Sequence, residues 1–242
     1  MRVALLSKIG QVFTTDLRKE FQLKKVNTQN EKAFIEYLQA CQPMAKLGKK
    51  VHLSQNYLSA LIIEAIKSCP SVQGIQGLKF VVLYHEAHQK FWQLVEAQQR
   101  QEIPAHVFAA TAYKMQACQN ALGTILFFED QQVLQDLAKK QPLLAQQHPN
   151  WSAQYLGVAS LAAWGILADV GLGAELLHYQ GFDHKLQKQF KLEQSWKLKA
   201  QLLFGSIEDK KTTPSPIFSA QDYQVLTECS KAETVCYEIP SR

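Results

Sequence analysis

Charge is thin on this chain, and neither sign leads by much. Charged residues make up 19% of its 242 residues, with 26 Lys and Arg against 21 Asp and Glu, a formal net charge of +5. Lysines come as scattered doublets such as Lys24-Lys25, Lys49-Lys50, Lys139-Lys140 and Lys210-Lys211, not as long basic runs. A nucleic-acid protein is expected to show a basic stripe or a readout motif, so no nucleic-acid partner is expected. Long apolar runs are missing too. No uncharged apolar run reaches the roughly 18 residues of a membrane helix, and the opening MRVALLSKIGQVF is broken by Ser7 and Lys8, too weak for a signal peptide. No membrane partner is expected. The five cysteines form no Cys-x-x-Cys pair. That odd count without metal spacing reads as free thiols in a reducing, cytoplasmic setting.

Several motifs are absent as well. There is no G-x-S-x-G, P-loop or G-x-G-x-x-G, and Gly171-Leu172-Gly173 is too short for a dinucleotide fingerprint. Glu129-Asp130 is an acidic pair with no histidine at ligand spacing, so no metal site is expected. Internal repeats and low-complexity tracts are absent, and the abundant glutamines are dispersed.

What remains is a globular chain, 47% apolar, long enough to bury a core without disulfides or metal. Residues 1–30 place Val3, Leu6, Ile9, Phe13, Leu17 and Phe21 at helical spacing and read as an amphipathic arm. A short helix is expected over 31–40 and a loop over Cys41–Lys50. Ser54 is a plausible N-cap for a helix to about Ser68. KFVVLY at Lys79–Tyr84 and TILFF at Thr124–Phe128 read as buried strands. Helical patterns cover about 86–101, 105–120 and 130–139. Here His85 and the Glu86-x-His88 pair read as a capping and solvent-facing feature, and the four tryptophans as core or interface residues. From Trp151 a helix apolar nearly all round runs to a glycine cap at Gly171 or Gly173. Extended Ala174–Tyr179, a helix near 183–190 and strand Lys197–Phe204 follow. A polar loop is expected after Gly205, then a strand at Glu233–Ile239 that needs a partner edge.

This order of signals resembles the FMN-dependent nitroreductase family, in particular its short fungal-type and bacterial branch. Four segments carry the resemblance: LGKKVHLSQNYLSALIIEAIKSCPS, GTILFFED, NWSAQYLGVASLAAWGILADVGLGAELLHYQGF and EQSWKLKAQLLFGSIE. It implies an α+β fold with a central mixed sheet flanked by helices. It also implies an intertwined homodimer with FMN at the interface, and a tail that crosses to the other subunit. The domain would then be 31–242, with 1–30 as an added arm. NAD(P)H would be the co-substrate, and a nitroaromatic, quinone or similar small electrophile the acceptor.

The same resemblance assigns candidate residues. The backbone N–H of Gly181 would meet flavin N5, with His178, Tyr179 and Gln180 around it. Ser71, Gln73, Gly74 and Gln76 occupy the family's hydrogen-bonding turn, with Gly74 standing where the family has Asn. The family's cationic triplet for the phosphate falls on Cys41, Gln42 and Pro43, so both cations are missing. Lys210 and Lys211 are candidate substitutes, as are Lys46, Lys49 and Lys50. That gap motivates a rival reading, in which a protein of this fold has lost FMN and serves as a binding or regulatory protein.

Overall fold

A computed structural model describes residues 34–43, 46–71, 76–209, 225–228 and 231–233. The arm expected at 1–30 lies outside them. The chain runs through helical residues 34–40 (α1), strand Lys46–Gly48 (β1), helix Gln55–Lys67 (α2), strand Leu78–Tyr84 (β2), helix His85–Glu102 (α3) and helix Ala105–Gln119 (α4). It continues with strand Gly123–Asp130 (β3), helix Gln131–Lys140 (α5), helix His148–Asp169 (α6), strand Gly173–Leu177 (β4), helix Asp183–Phe190 (α7) and strand Trp196–Asp209 (β5). This first compact unit ends at Lys210. In the second unit, strands Val225–Glu228 (β6) and Lys231–Glu233 (β7) form an antiparallel hairpin. The rest of the expected terminal strand, 234–239, lies outside the described residues.

The first unit is an α+β fold around a five-stranded sheet. β2 pairs with β3 and β3 with β5. The other edge of β5 is shared by β4, opposite Gln201–Gly205, and β1, opposite Ser206–Asp209. All these pairings are antiparallel, and the mixed character expected of the sheet comes down to one parallel bridge, Pro43 to Ala174.

β3 is buried at all eight positions, and its alternation divides the core. Leu126 and Phe128 face a cluster built with Phe91, Trp92 and Val95 of α3, Met115 of α4 and Leu186 of α7. Ile125 and Phe127 face Leu58, Ile62 and Ile66 of α2 and Ala159, Ala163 and Leu167 of α6. A period-two strand between two helical layers has no exposed face. This is why TILFF reads as a continuous apolar run.

Local signals set the helix ends. The Ser54 side chain accepts from the Tyr57 N–H at 3.2 Å, capping α2 as the sequence implies. Asp130 does the same for α5 through the Gln132 N–H at 3.1 Å. α6 closes with Gly171 at φ +78°, and the Leu172 N–H returns to the Leu167 carbonyl at 2.9 Å. Glycine adopts that left-handed conformation without a side-chain penalty.

Two expectations change here. β5 does not stop at Gly205 but runs to Asp209, because β1 emerges inside the expected 41–50 loop and supplies a partner for its last residues. Gly205 permits this, since a Cβ there would run into the Gly48 carbonyl oxygen. The His85–His88 feature is the other correction. His85 and Glu86 are exposed, but Tyr84 at the N-cap makes no side-chain cap bond, and His88 is 1% exposed. Its Nε2 lies 3.0 Å from the Cys118 carbonyl and its Nδ1 2.9 Å from Thr124 Oγ1. Because a carbonyl can only accept, Nε2 carries the proton and Nδ1 accepts from the Thr124 hydroxyl. Thr124 in turn accepts from Trp92 Nε1 at 2.9 Å.

Candidate functional site

The ladder between β4 and β5 ends at Leu177 opposite Gln201. Continued in register, Tyr179 would stand opposite Lys199. But β5 carries an irregularity there. On β3, Phe127 pairs with Ala200 and Phe128 with Leu198, leaving Lys199 as an extra residue with no opposite number. Such bulges re-aim side chains and free backbone groups beside functional sites. Here the Lys199 carbonyl accepts from the Gln180 side-chain amide at 3.0 Å. Lys199 Nζ meets the Glu129 carboxylate at 2.9 Å.

Glu129 is 5% exposed. Burial works against its ionisation, yet hydrogen bonds from Lys199, Ser152 and Gln131 outweigh that and hold its carboxyl below the usual range. The acidic pair thus splits into two structural roles, Glu129 as the counter-ion of the bulged lysine and Asp130 as a helix cap.

Gln201 is wholly buried. Its Oε1 accepts from the Tyr179 N–H at 2.8 Å and its Nε2 donates to the Tyr179 carbonyl at 2.9 Å. The Tyr179 ring packs edge-on against Trp92, with centroids 5.9 Å apart. Burial, then the neighbouring Cys118 and Glu175, pushes its phenol up to about 12, so it stays protonated at neutral pH. Gly181 follows at φ +91°. A Cβ on it would meet nothing nearer than the Glu102 carboxylate at 3.8 Å. The space against its backbone is therefore open to a ligand, and no acceptor among the described residues is bonded to its N–H.

On the α6 side of this segment lies a cleft of about 340 Å³. It is lined by Ala153, Leu156, Gly157 and Leu176 together with Ser160, His178, Glu129 and Lys199. The result is an apolar slot with an exposed histidine and a neutralised lysine in its wall.

The remaining expected residues fall elsewhere. Gln42 is half-buried beside the Pro43–Ala174 bridge, at the other end of β4 from Tyr179. Lys46, Lys49 and Lys50 are exposed. Lys46 stands opposite Asp209, while Lys49 lines a separate cleft with His85, Glu86 and Gln89 at the start of α3. Ser71 and Gln76 are exposed and precede β2, at the far edge of the sheet. β3 and β5 separate β2 from β4, so Gln76, just before β2, and Gly181 of one chain lie about three strand spacings apart, roughly 15 Å. Gln73, Gly74, Lys210 and Lys211 lie outside the described residues.

Sequence reading missed Gln201, the bulge at Lys199 and the Glu129–Lys199 pair. The one available signal was a lone glutamine inside the apolar run AQLLF, where a buried amide must find partners.

Among the described residues no helix is long and apolar enough to cross a membrane, and no cluster of metal-ligating side chains occurs. No family model matches the sequence. The Saccharomyces cerevisiae protein HBN1, named as a nitroreductase, is 30% identical over 155 residues, 62% of this chain and 75% of that protein. The nitroreductase FRM2 of the same yeast is 26% identical over 141 residues, 58% of this chain and 69% of that one. Nitroreductase CinD from Lactococcus lactis, solved with chloramphenicol, is 33% identical with a TM-score of 0.72, covering 81% of this chain and all of its own. The sheet, its flanking helices and the segment after β4 define a flavin-type oxidoreductase scaffold. The chain belongs to the nitroreductase family.

Proposed function

We propose that this protein is an FMN-dependent oxidoreductase that draws electrons from NAD(P)H and delivers them to a small electrophilic acceptor, nitroaromatic or quinone. The observation that carries the reading is the Gly181 N–H. It sits on a left-handed glycine with open space over it, in a segment tied down at Tyr179 and Gln180. A backbone donor of this kind suits a flavin ring nitrogen and survives side-chain drift. CinD has been solved with 4-nitrophenol and with nicotinic acid, which favours a nitroaromatic acceptor and a nicotinamide donor here.

FMN would supply the two-electron chemistry, and the protein position and electrostatics. Gly181 would donate to the ring edge. The apolar wall of Leu156, Gly157 and Leu176 would exclude water from the face on which donor and acceptor bind in turn. Gln42, beside the Pro43–Ala174 bridge at the β4 start, would face the phosphate without supplying charge, and Lys46, with Lys210 and Lys211, would supply the cations. Ser71 and Gln76 lie too far across the sheet to join Gly181 in one chain. They would complete the site from a second copy, which is the physical case for a homodimer. A cytoplasmic setting agrees with the free thiols of Cys41, Cys69 and Cys118.

The test is a visible spectrum of the purified protein, followed by NAD(P)H consumption with 4-nitrophenol or a quinone. Flavin bands and turnover are expected. A colourless protein that takes up no added FMN would favour the second reading, a flavin-free binding protein, whose support is the uncharged Cys41-Gln42-Pro43 stretch. Replacing Cys41→Arg and Gln42→Arg together should tighten FMN binding by at least tenfold, since a charge-assisted hydrogen bond contributes about 1.5–3 kcal/mol. Fluorescence quenching reads this out.

A further inference from the structure

We propose that Gln201 is a positioning residue whose side-chain amide acts as a surrogate peptide, holding His178–Gly181 in the form that offers the Gly181 N–H to a ligand. The second half of this statement rests on the flavin reading above. The first half rests on geometry alone.

Past Leu177, β4 has lost its partner strand. The residue that would face Tyr179 is Lys199, and the bulge has turned Lys199 aside to serve Glu129 and Gln180. A backbone segment at that point would fray, since an extended strand is held by its ladder. Gln201 reaches along from the last ladder position and bonds both main-chain polar groups of Tyr179, its N–H and its carbonyl, at 2.8 and 2.9 Å. Its amide has the donor and acceptor arrangement of a main-chain peptide. It is wholly buried, so water cannot stand in for it, and the clamp resists opening. Two residues later the chain turns through Gly181 at φ +91°. The direction of that N–H is set by what holds Tyr179 and Gln180. Gln201 itself touches no ligand in this arrangement.

The experiment uses the full-length protein with Gln201→Met, of matching length without polar atoms, and Gln201→Glu, which keeps the acceptor and loses the donor when ionised. Amide hydrogen exchange of the flavin-free protein is the first readout. Q201M should speed exchange at Tyr179–Gly181 at least tenfold and leave the β3 amides unchanged. The second readout is the flavin. Q201M should weaken FMN at least tenfold and shift the visible band of the bound fraction. Q201E should recover protection as the pH is lowered and its carboxyl gains a proton to donate. If Q201M fails to fold, Q201E carries both readouts. Unchanged exchange at 179–181 overturns the clamp. Faster exchange with unchanged FMN affinity and spectrum overturns the positioning role and leaves Gln201 a purely structural tie. A wild-type protein that binds no FMN overturns the flavin reading, and the clamp is then judged on exchange alone.

Discussion

His88 shows how far a single side chain departs from its sequence context. It follows a strand in a polar stretch, HEAHQK, yet it ends inside the core between Thr124 and Cys118. Burial, chiefly, and the nearby Lys49 lower its pKa from 6.5 to about 4, against weaker support from the Cys118 carbonyl. Above pH 6.5 the histidine is neutral in both folded and unfolded chains, and its network contributes in full. As the pH falls from 6.5 towards 4, the unfolded chain takes up a proton that the folded one refuses, so stability falls. The loss is about 1.4 kcal/mol per pH unit, or about 3 kcal/mol over the window. Denaturant unfolding at several pH values should show this slope in the wild type, and His88→Leu should flatten it. His148 is a different case. It is buried beside Trp151 at the start of α6 with neither ring nitrogen partnered among the described residues. An orphaned buried polar group costs about 1–3 kcal/mol. His148→Phe keeps the aromatic contact and is expected to raise the unfolding free energy by about 1 kcal/mol in the same assay.

At the scale of elements, the helices and β4 were legible and the shortest strand of the sheet, β1, was not. Ser54, Asp130 and Gly171 end or begin helices where their side chains or lack of one dictate, and α2 through α7 follow. β1 is three residues long, and no local pattern separates so short a strand from a loop. It exists because β5 offers an unpaired edge and Gly205 lets the backbones approach. The bulge at Lys199 was equally invisible, for it is a property of two strands in register. α1 is held by a contact of the same kind. The Tyr37 ring lies against Gly165 of α6, where a Cβ would collide with it. Gly165→Ala should push Tyr37 away and release α1. Proteolytic cutting within 34–43 is expected to speed at least tenfold, while the unfolding free energy of the core stays within about 1 kcal/mol.

For the whole molecule, α6 poses the question of assembly. Its composition is apolar nearly all round, but in one copy Val158 is 42% and Leu161 45% exposed. Gly157 on the same helix lines the candidate cleft. A second copy packed on this face would bury the leucine, and in the proposed dimer it would bring Ser71 and Gln76 to the site. Leu161→Glu is therefore expected to weaken self-association at least tenfold by analytical ultracentrifugation and to lower FMN affinity with it. Loss of association without loss of FMN binding would place the complete site within one chain.

The sequence alone read β2 as buried, though it is an edge strand with only Leu83 buried; what it determined is the globular class, the buried core strand β3, most helix boundaries and the family resemblance. Each of these is written in local composition, periodicity or motif order, and the comparisons bear out the family. It also marked Gly181 and its neighbours as candidates, though not what holds them. Tertiary structure decided the site's construction. Gln201 meets Tyr179 across 22 residues of chain, Lys199 meets Glu129 across the β3–β5 register, and Ser71 is parted from Gly181 by two strands. Hydrogen bonds between residues far apart in sequence depend on strand register, and register is settled only when both strands are packed.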